Sequence, residues 1–325
     1  MSIAKIFLTL CLLYVSSLNA QTINDNKKLA YIVSDIQIPF WDIMARGIKN
    51  KAGALGYQID IYSAGNDKKT ELEAVTKAIN DKVAGIIVSP TTSSACVTIL
   101  KLANNAKIPV VISDIGTDDG EYISYISSDN EKGAYDIGQV LANEMIKKGY
   151  DKGTVGIIAI PQQRANGKAR TTGFMKAISE HNIKSADIKQ QVNFSYQETY
   201  DFAKELISKY SNLKAIWLQG SDKYKGALDA IEHTGKKDKI LLITFDAEPE
   251  FLDMIPTGVL VGAAMQQPYL MGQYAVDSIH NHLNGKKVEK NIQLPILAVS
   301  SNNIQKMLPT IKRNVLGIES TKEQK

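Results

Sequence analysis

Residues 31–53 read YIVSDIQIPFWDIMARGIKNKAG. Tyr31-Ile32-Val33 is a short apolar run, as in a strand buried on both faces, and Ile43, Met44, Ile48, Ala52 and Leu55 recur at helical spacing. A strand running through a short loop into an amphipathic helix is the opening of a βαβ unit, which builds parallel sheets. Between the two, Pro39 is followed by Phe40 and Trp41. Two large adjacent aromatics at such a junction are not expected both to face the core. They stand at the carboxyl end of the first strand, where open α/β sheets bind ligands.

The same alternation continues along the chain. Strand-like runs are LAYIV, YQIDIYS, AGIIVSP, PVVISD, YISYISSD, TVGIIAI, IKQQVNF, AIWLQG, KILLITFD and LVGAAMQ, and amphipathic helices are predicted at 68–81, 93–106, 131–148, 166–182, 197–210, 222–234 and 268–284. One set of βα units spans about 28–127 and a similar set about 153–246, with further βα material at 259–284 and 292–299. The order predicts an α/β protein of two doubly wound parallel-sheet domains with a ligand cleft between them.

Composition limits the function. Lys5, the apolar IFLTLCLLYV and SSLNA form a secretory signal peptide over residues 1–20, with cleavage expected near Ala20 and a lipoprotein signal at Cys11 as the rival. No later run reaches the ~18 apolar residues that span a bilayer. Cys96 is the one other cysteine, so no internal disulfide is expected and stability must come from a large core. The net charge of +4 is spread over scattered lysines, with no basic block suited to nucleic acid. G-x-S-x-G, H-E-x-x-H and Walker A patterns are absent, no Gly-rich dinucleotide turn follows a strand, and His280 and His282 do not share a helical face. No enzyme, cofactor or metal site is expected.

Strands after the first end in polar residues: Ser89, Asp114, Gln162, Gln219 and Asp246. Carboxylates, amides and aromatics gathered at one edge suit a polyhydroxylated ligand, since carboxylates accept hydroxyl hydrogen bonds and aromatic faces cover C–H surfaces. A sugar has that chemistry.

In order and spacing, IPFW after the first strand, PVVISD, ISSDN, RTTGF, ITFDAEP and AAMQQP resemble the periplasmic sugar-binding proteins of the ribose/galactose type, whose fold is shared by the effector domains of LacI-type repressors. The resemblance covers essentially the whole chain after the leader. It implies stacking aromatics at Phe40 and Trp41, hydroxyl acceptors at Asp114 and Asp246, a ligand-binding arginine at Arg170, a second-domain aromatic at Phe194 and a hinge amide at Gln266. Ser89 and Gln219 complete the expected ligand-binding set. Arg164 lies outside the matching word and is expected to be a bystander. Loss of Arg170 is expected to weaken binding without changing the stability of the unliganded protein. Ile38, Ile115, Gly220 and Ser89 replace an Asn, an Arg and two further Asn of the ribose pattern. Missing partners for buried polar groups cost ~1–3 kcal/mol each, so ribose should fit poorly and another sugar or a less hydroxylated, sugar-like solute is expected.

The resemblance also implies three chain crossings, near 128–130, 265–267 and 298–300. The lobes would then be 27–128 with 267–298 and 129–266 with 299–318, leaving a frayed tail at 319–325. It implies a monomer in the periplasm that closes on its ligand and delivers it to an ABC-type permease in the inner membrane. The alternative is a sensing adaptor for a sensor kinase or chemoreceptor, as in relatives that bind the furanosyl autoinducer or trimethylamine N-oxide.

Overall fold

The computed structural model describes residues 27–318; the expected signal peptide and the 319–325 tail lie outside them. The first half runs β1 (Lys28–Val33), α1 (Pro39–Ala54), β2 (Gln58–Ser63), α2 (Lys68–Asn80), β3 (Gly85–Ser89), α3 (Ser93–Asn105), β4 (Val110–Ser113) and β5 (Ser124–Ser128). Next come α4 (Asn130–Lys147), β6 (Thr154–Ala159), α5 (Ala165–Glu180), β7 (Lys184–Gln190), α6 (Tyr196–Lys209), β8 (Leu213–Leu218), α7 (Tyr224–His233), β9 (Leu241–Phe245), α8 (Phe251–Met254) and β10 (Gly262–Met265). The chain then continues through α9 (Pro268–Leu283), β11 (Asn291–Leu294), β12 (Leu297–Ser300), α10 (Ile304–Thr310) and a π-helical turn at Ile311–Val315.

Two six-stranded sheets result, ordered β2-β1-β3-β4-β5-β11 and β7-β6-β8-β9-β10-β12. The two orders are the same, so the fold is an α/β pair of doubly wound lobes built twice from one plan. All neighbours pair in parallel except β12, which runs antiparallel to β10. The inner strands β3 and β4 are buried along their length because helices cover both faces, whereas the edge strand KSADIKQ (β7) is half exposed and polar. That polarity hid its start: β7 begins at Lys184, four residues before the apolar-looking run.

The chain passes between sheets at 129, at 266–267 and at 295–296. The third passage lies nearer the N-terminus than the expected 298–300. Pro295 has no N–H to give a ladder, so it divides the run: Leu294 still pairs with Ser128 in the first sheet, and Leu297 already pairs with Met265 in the second. The three passages are bonded together. The Asp129 N–H donates to the Leu294 carbonyl at 3.0 Å, and the Gln267 side chain donates to the Pro295 carbonyl at 2.8 Å.

Each passage carries a helix to the opposite lobe. α4 packs on α5 and the second sheet, and α9 packs on α1 and the first sheet. Both helix pairs touch through glycines. A Cβ on Gly47 of α1 would lie 2.2 Å from the Tyr269 carbonyl oxygen of α9, and one on Gly272 of α9 would lie 2.4 Å from that of Met44 in α1. On the other side, a Cβ on Gly173 of α5 would lie 2.0 Å from the Glu131 carbonyl oxygen of α4. Gly173→Ala must push α4 and α5 apart, and overpacking of this kind costs about 1–3 kcal/mol. Gly53, by contrast, has nothing within 4 Å of its would-be Cβ, and Gly53→Ala should stabilise by about 0.5–1 kcal/mol. Denaturant midpoints of the two variants are expected to move in opposite directions; a shared direction would refute the close approach of α4 and α5.

Candidate functional site

Two carboxylates define the cleft. Asp114 follows β4 and Asp246 follows β9, the matching strands of the two lobes. Both take left-handed backbone, at φ 65° and 66°. Each donates its N–H at 2.9 Å to the next strand, Asp114 to the Ile126 carbonyl and Asp246 to the Ala264 carbonyl. Asp tolerates this conformation better than most residues, and past the kink both residues line one cavity. The Tyr125 hydroxyl donates to the Asp114 carbonyl at 2.8 Å and holds the kink in place.

Between the carboxylates lies a cavity of about 60 Å³. The first lobe contributes Ile38, Phe40, Trp41 and Asp114; the second contributes Ile160, Arg164, Asn166, Arg170, Phe194, Gly220, Asp222 and Asp246; Gln266 enters from the second crossing. Phe40 and Trp41 meet edge to face, with centroids 4.8 Å apart and planes at 86°. Trp41 is only 5% exposed and belongs to the first-lobe core, with Phe40 packed against that core while both rings border the cavity. The two aromatics therefore serve core and cleft together.

Arg170 is the hub of the second lobe. It is 3% exposed, donates through Nε to Asn130 Oδ1 at 2.8 Å and through Nη1 to the Gln219 carbonyl at 2.6 Å, and lies 3.7 Å from Asp246 Oδ2. Its guanidinium carbon sits 3.9 Å from the centre of the Phe245 ring. Gln266 Nε2 donates to Asp246 Oδ1 at 2.6 Å. Phe194 takes φ 49°, a strained value for a bulky residue. The Glu198 carboxylate accepts the N–H groups of Val192, Asn193 and Phe194 and keeps that loop in shape. Strain maintained this way is a recurrent property of ligand sites.

Two buried acceptors, Asp114 Oδ1 and Gln266 Oε1, have no hydrogen-bond partner among the described residues. Burial pushes the Asp114 carboxyl up to about 6, with Arg170 pulling the other way. Burial also raises Asp246, again opposed by Arg170, and lowers Arg170 itself. The arrangement can accept hydroxyl protons from both lobes while aromatic rings cover an apolar face.

Ser89 and Gln219 are not brought to the cavity. Ser89 is fully buried, with its hydroxyl 3.1 Å from that of Tyr31 and close to Met44 Sδ. Gln219 turns aside to Thr171 at 2.7 Å and Gln162 at 3.3 Å, and its contribution is the carbonyl that holds Arg170. Arg164, expected to be a bystander, lines the cavity, as do Asn166 and Asp222. Arg164 and Asp222 lie on loops at strand carboxyl ends, and Asn166 stands in the first turn of α5 just past such a loop; that position was the available signal.

A family model for the periplasmic binding protein domain matches residues 29–287, and the chain belongs to that family. Among curated relatives, the ribose import binding protein RbsB of Bacillus subtilis (strain 168) is 28% identical over 303 residues, covering 91% of this chain and 95% of the relative. Two solved structures share the fold. A carbohydrate transporter solute binding protein from Agrobacterium radiobacter in complex with D-arabinose aligns at TM-score 0.80 and 22% identity, covering 89% of this chain and 98% of that one. An ABC transporter periplasmic solute binding protein from Actinobacillus succinogenes with bound D-allose aligns at 0.79 and 20% identity, covering 86% and 99%.

Burial of Arg170 overturns the expectation that its loss spares the unliganded fold. Arg170→Ala would leave Asp246 without its cationic partner, held by Gln266 alone, and leave Asn130 Oδ1 and the Gln219 carbonyl without their donor. Breaking a buried pair in this way costs about 3–5 kcal/mol. The ligand-free denaturant midpoint should fall clearly, and an unchanged midpoint would mean that the guanidinium is not buried among these groups.

Proposed function

We propose that this chain captures a sugar or sugar-like small molecule between its lobes and delivers it to an ABC-type permease. It does so in the periplasm after cleavage of a leader near Ala20, as a monomer and without converting the ligand chemically. The moving bodies are residues 27–128 with 267–294 and residues 130–265 with 297–318, turning about the three passages. One observation carries the reading: unpartnered buried acceptors, Asp114 Oδ1 and Gln266 Oε1, sit beside aromatic rings in a cavity shared by both lobes. A buried acceptor without a donor costs about 1–3 kcal/mol, so a ligand supplying hydroxyls gains that amount on closure.

The ligand-binding set proposed is Phe40, Trp41, Asp114, Arg164, Arg170, Phe194, Asp222, Asp246 and Gln266. Asp114 is the one ionisable group the first lobe contributes, and Ile38, Ile160 and Gly220 offer no side-chain polar atoms. These residues suit a sugar with fewer hydroxyls at that end than ribose. The curated relative named above is an import binding protein, which supports a permease partner over a sensor kinase or chemoreceptor.

A thermal-shift screen over sugars and small polar solutes tests this directly. A ligand at 100 times its Kd adds about 2.7 kcal/mol of stability. No shift with any sugar would reject the class. With a ligand identified, its fluorescence response should be lost in Trp41→Phe and kept in Trp217→Phe, because Trp217 is fully buried and stacked on Phe174 at 3.8 Å.

pH gives an independent check. Ligand hydroxyls donate to the ionised Asp114 carboxylate, whose carboxyl is pushed up to about 6. Affinity should therefore be full above that value and fall by up to about tenfold per unit below it. Ligand-free stability should respond to this group in the opposite sense. Its folded pKa lies above the unfolded value, so its contribution improves as pH falls through about 6 toward 4. Asp114→Asn should flatten both profiles; a pH-independent Kd in the parent protein would remove Asp114 from the site.

A further inference from the structure

Arg164 ends the loop between β6 and α5 and reaches across the cleft, where its Nη2 donates to the carbonyl of Thr91 at 3.3 Å. Thr91 belongs to the loop between β3 and α3 of the first lobe. The Arg164 guanidinium carbon lies 5.7 Å from the centre of the Phe194 ring. Arg164 and Phe194 line both the inner cavity and a crevice of about 770 Å³ that opens outside it, so they stand at the boundary between the two. Away from the first crossing, where Asn130 donates to the Ser128 carbonyl, the other side-chain hydrogen bonds joining the lobes among the described residues involve the C-terminal segment: Arg46 donates to the carbonyls of Leu316 and Gly317, and Asn314 donates to Gln267 beside the crossings.

The acceptor is held from below. Glu71 of α2 is fully buried and takes both polar hydrogens of Thr91, the N–H at 2.7 Å on Oε1 and the hydroxyl at 2.9 Å on Oε2. Burying a carboxylate is costly unless it is fully bonded. Here both of its bonds go to one residue, whose carbonyl faces the opposite lobe. Glu71 itself lines neither the cavity nor the crevice.

Building on the reading of the cleft as the ligand site, we propose that Arg164 latches the lobes across the boundary of the inner cavity, shutting the ligand in, and that Glu71 is its positioning residue, acting through the Thr91 carbonyl. The latch belongs to the protein itself, so it biases closure even before a ligand adds its own contacts.

Energy transfer between dyes on Lys69→Cys and Val192→Cys, exposed positions on the first and second lobes, reports closure; Cys96 is fully buried and stays unlabelled. In ligand-free protein, Arg164→Ala should lower the closed-to-open ratio about ten- to a hundredfold, as expected for one charge-assisted hydrogen bond. Glu71→Ala should give the same loss, and the double variant no more than either alone. Glu71→Gln should match the parent, because its amide can still accept the Thr91 N–H and donate to the Thr91 hydroxyl. If Glu71→Ala does not fold, Thr91→Val removes the hydroxyl bond alone and should give a smaller loss in the same direction. An unchanged ratio in Arg164→Ala, or no closed population in the ligand-free parent, would overturn the latch. Additive losses in the double variant, or an unchanged ratio in Thr91→Val, would overturn the part given to Glu71. Failure of every sugar in the thermal-shift screen to close the parent would count against the sugar reading alone, since the latch is measured without them.

Discussion

A guanidinium buried at the centre of the second lobe organises the cleft. Arg170 cannot leave water unless every charged edge is matched, and its surroundings supply a carboxylate, an amide oxygen, a backbone carbonyl and an aromatic face. Those partners come from four places in the chain: the first crossing, the end of β8, the end of β9 and the loop beyond it. One side chain thus ties the hinge to the strand ends that face the ligand. Asp246 is held near Arg170, Gln266 is held by Asp246, and the cleft is assembled outward from there.

The internal repetition explains why two aspartates occupy equivalent places and yet differ. Each lobe bends its fourth parallel strand into a left-handed residue and anchors it to the fifth. In the second lobe the resulting carboxylate is engaged by Gln266 and Arg170. In the first, Asp114 keeps one oxygen without a partner. A single backbone device therefore provides a pre-organised half and a half awaiting donors.

Much of this was legible from residue patterns. The step from Tyr31-Ile32-Val33 through Pro39 into a helix declared the βα plan, and its recurrence declared two lobes. Asp114, Arg170, Asp246 and Gln266 stood in recognisable words, Phe194 at the end of a strand-like run, and all five line the cavity. Loop conformation was not legible. Arg164 and Asp222 reach the cavity from turns that no periodicity encodes, and Asn166 from the helix start just past one, whereas Ser89 and Gln219 bond to neighbours. Pro295 was visible but its effect was underestimated: one missing N–H moved the third crossing forward.

The exchange of helices between lobes has a consequence for the order in which the chain can finish folding. The first sheet is complete apart from its edge strand once Ser128 has been made, but one of its faces is covered by α1 together with α9. Tyr31, Met44, Ile48, Val111 and Ile126 share a core with Met271, Ala275, Val276 and Ile279. During synthesis from the N-terminus, that apolar surface has to wait while the five parallel strands of the second lobe emerge. Domains of larger proteins often fold one after another as they are made, but here neither can be sealed early. Late closure keeps the growing chain loose for most of its length, a state in which it can still be threaded, bound by a chaperone or lost to aggregation.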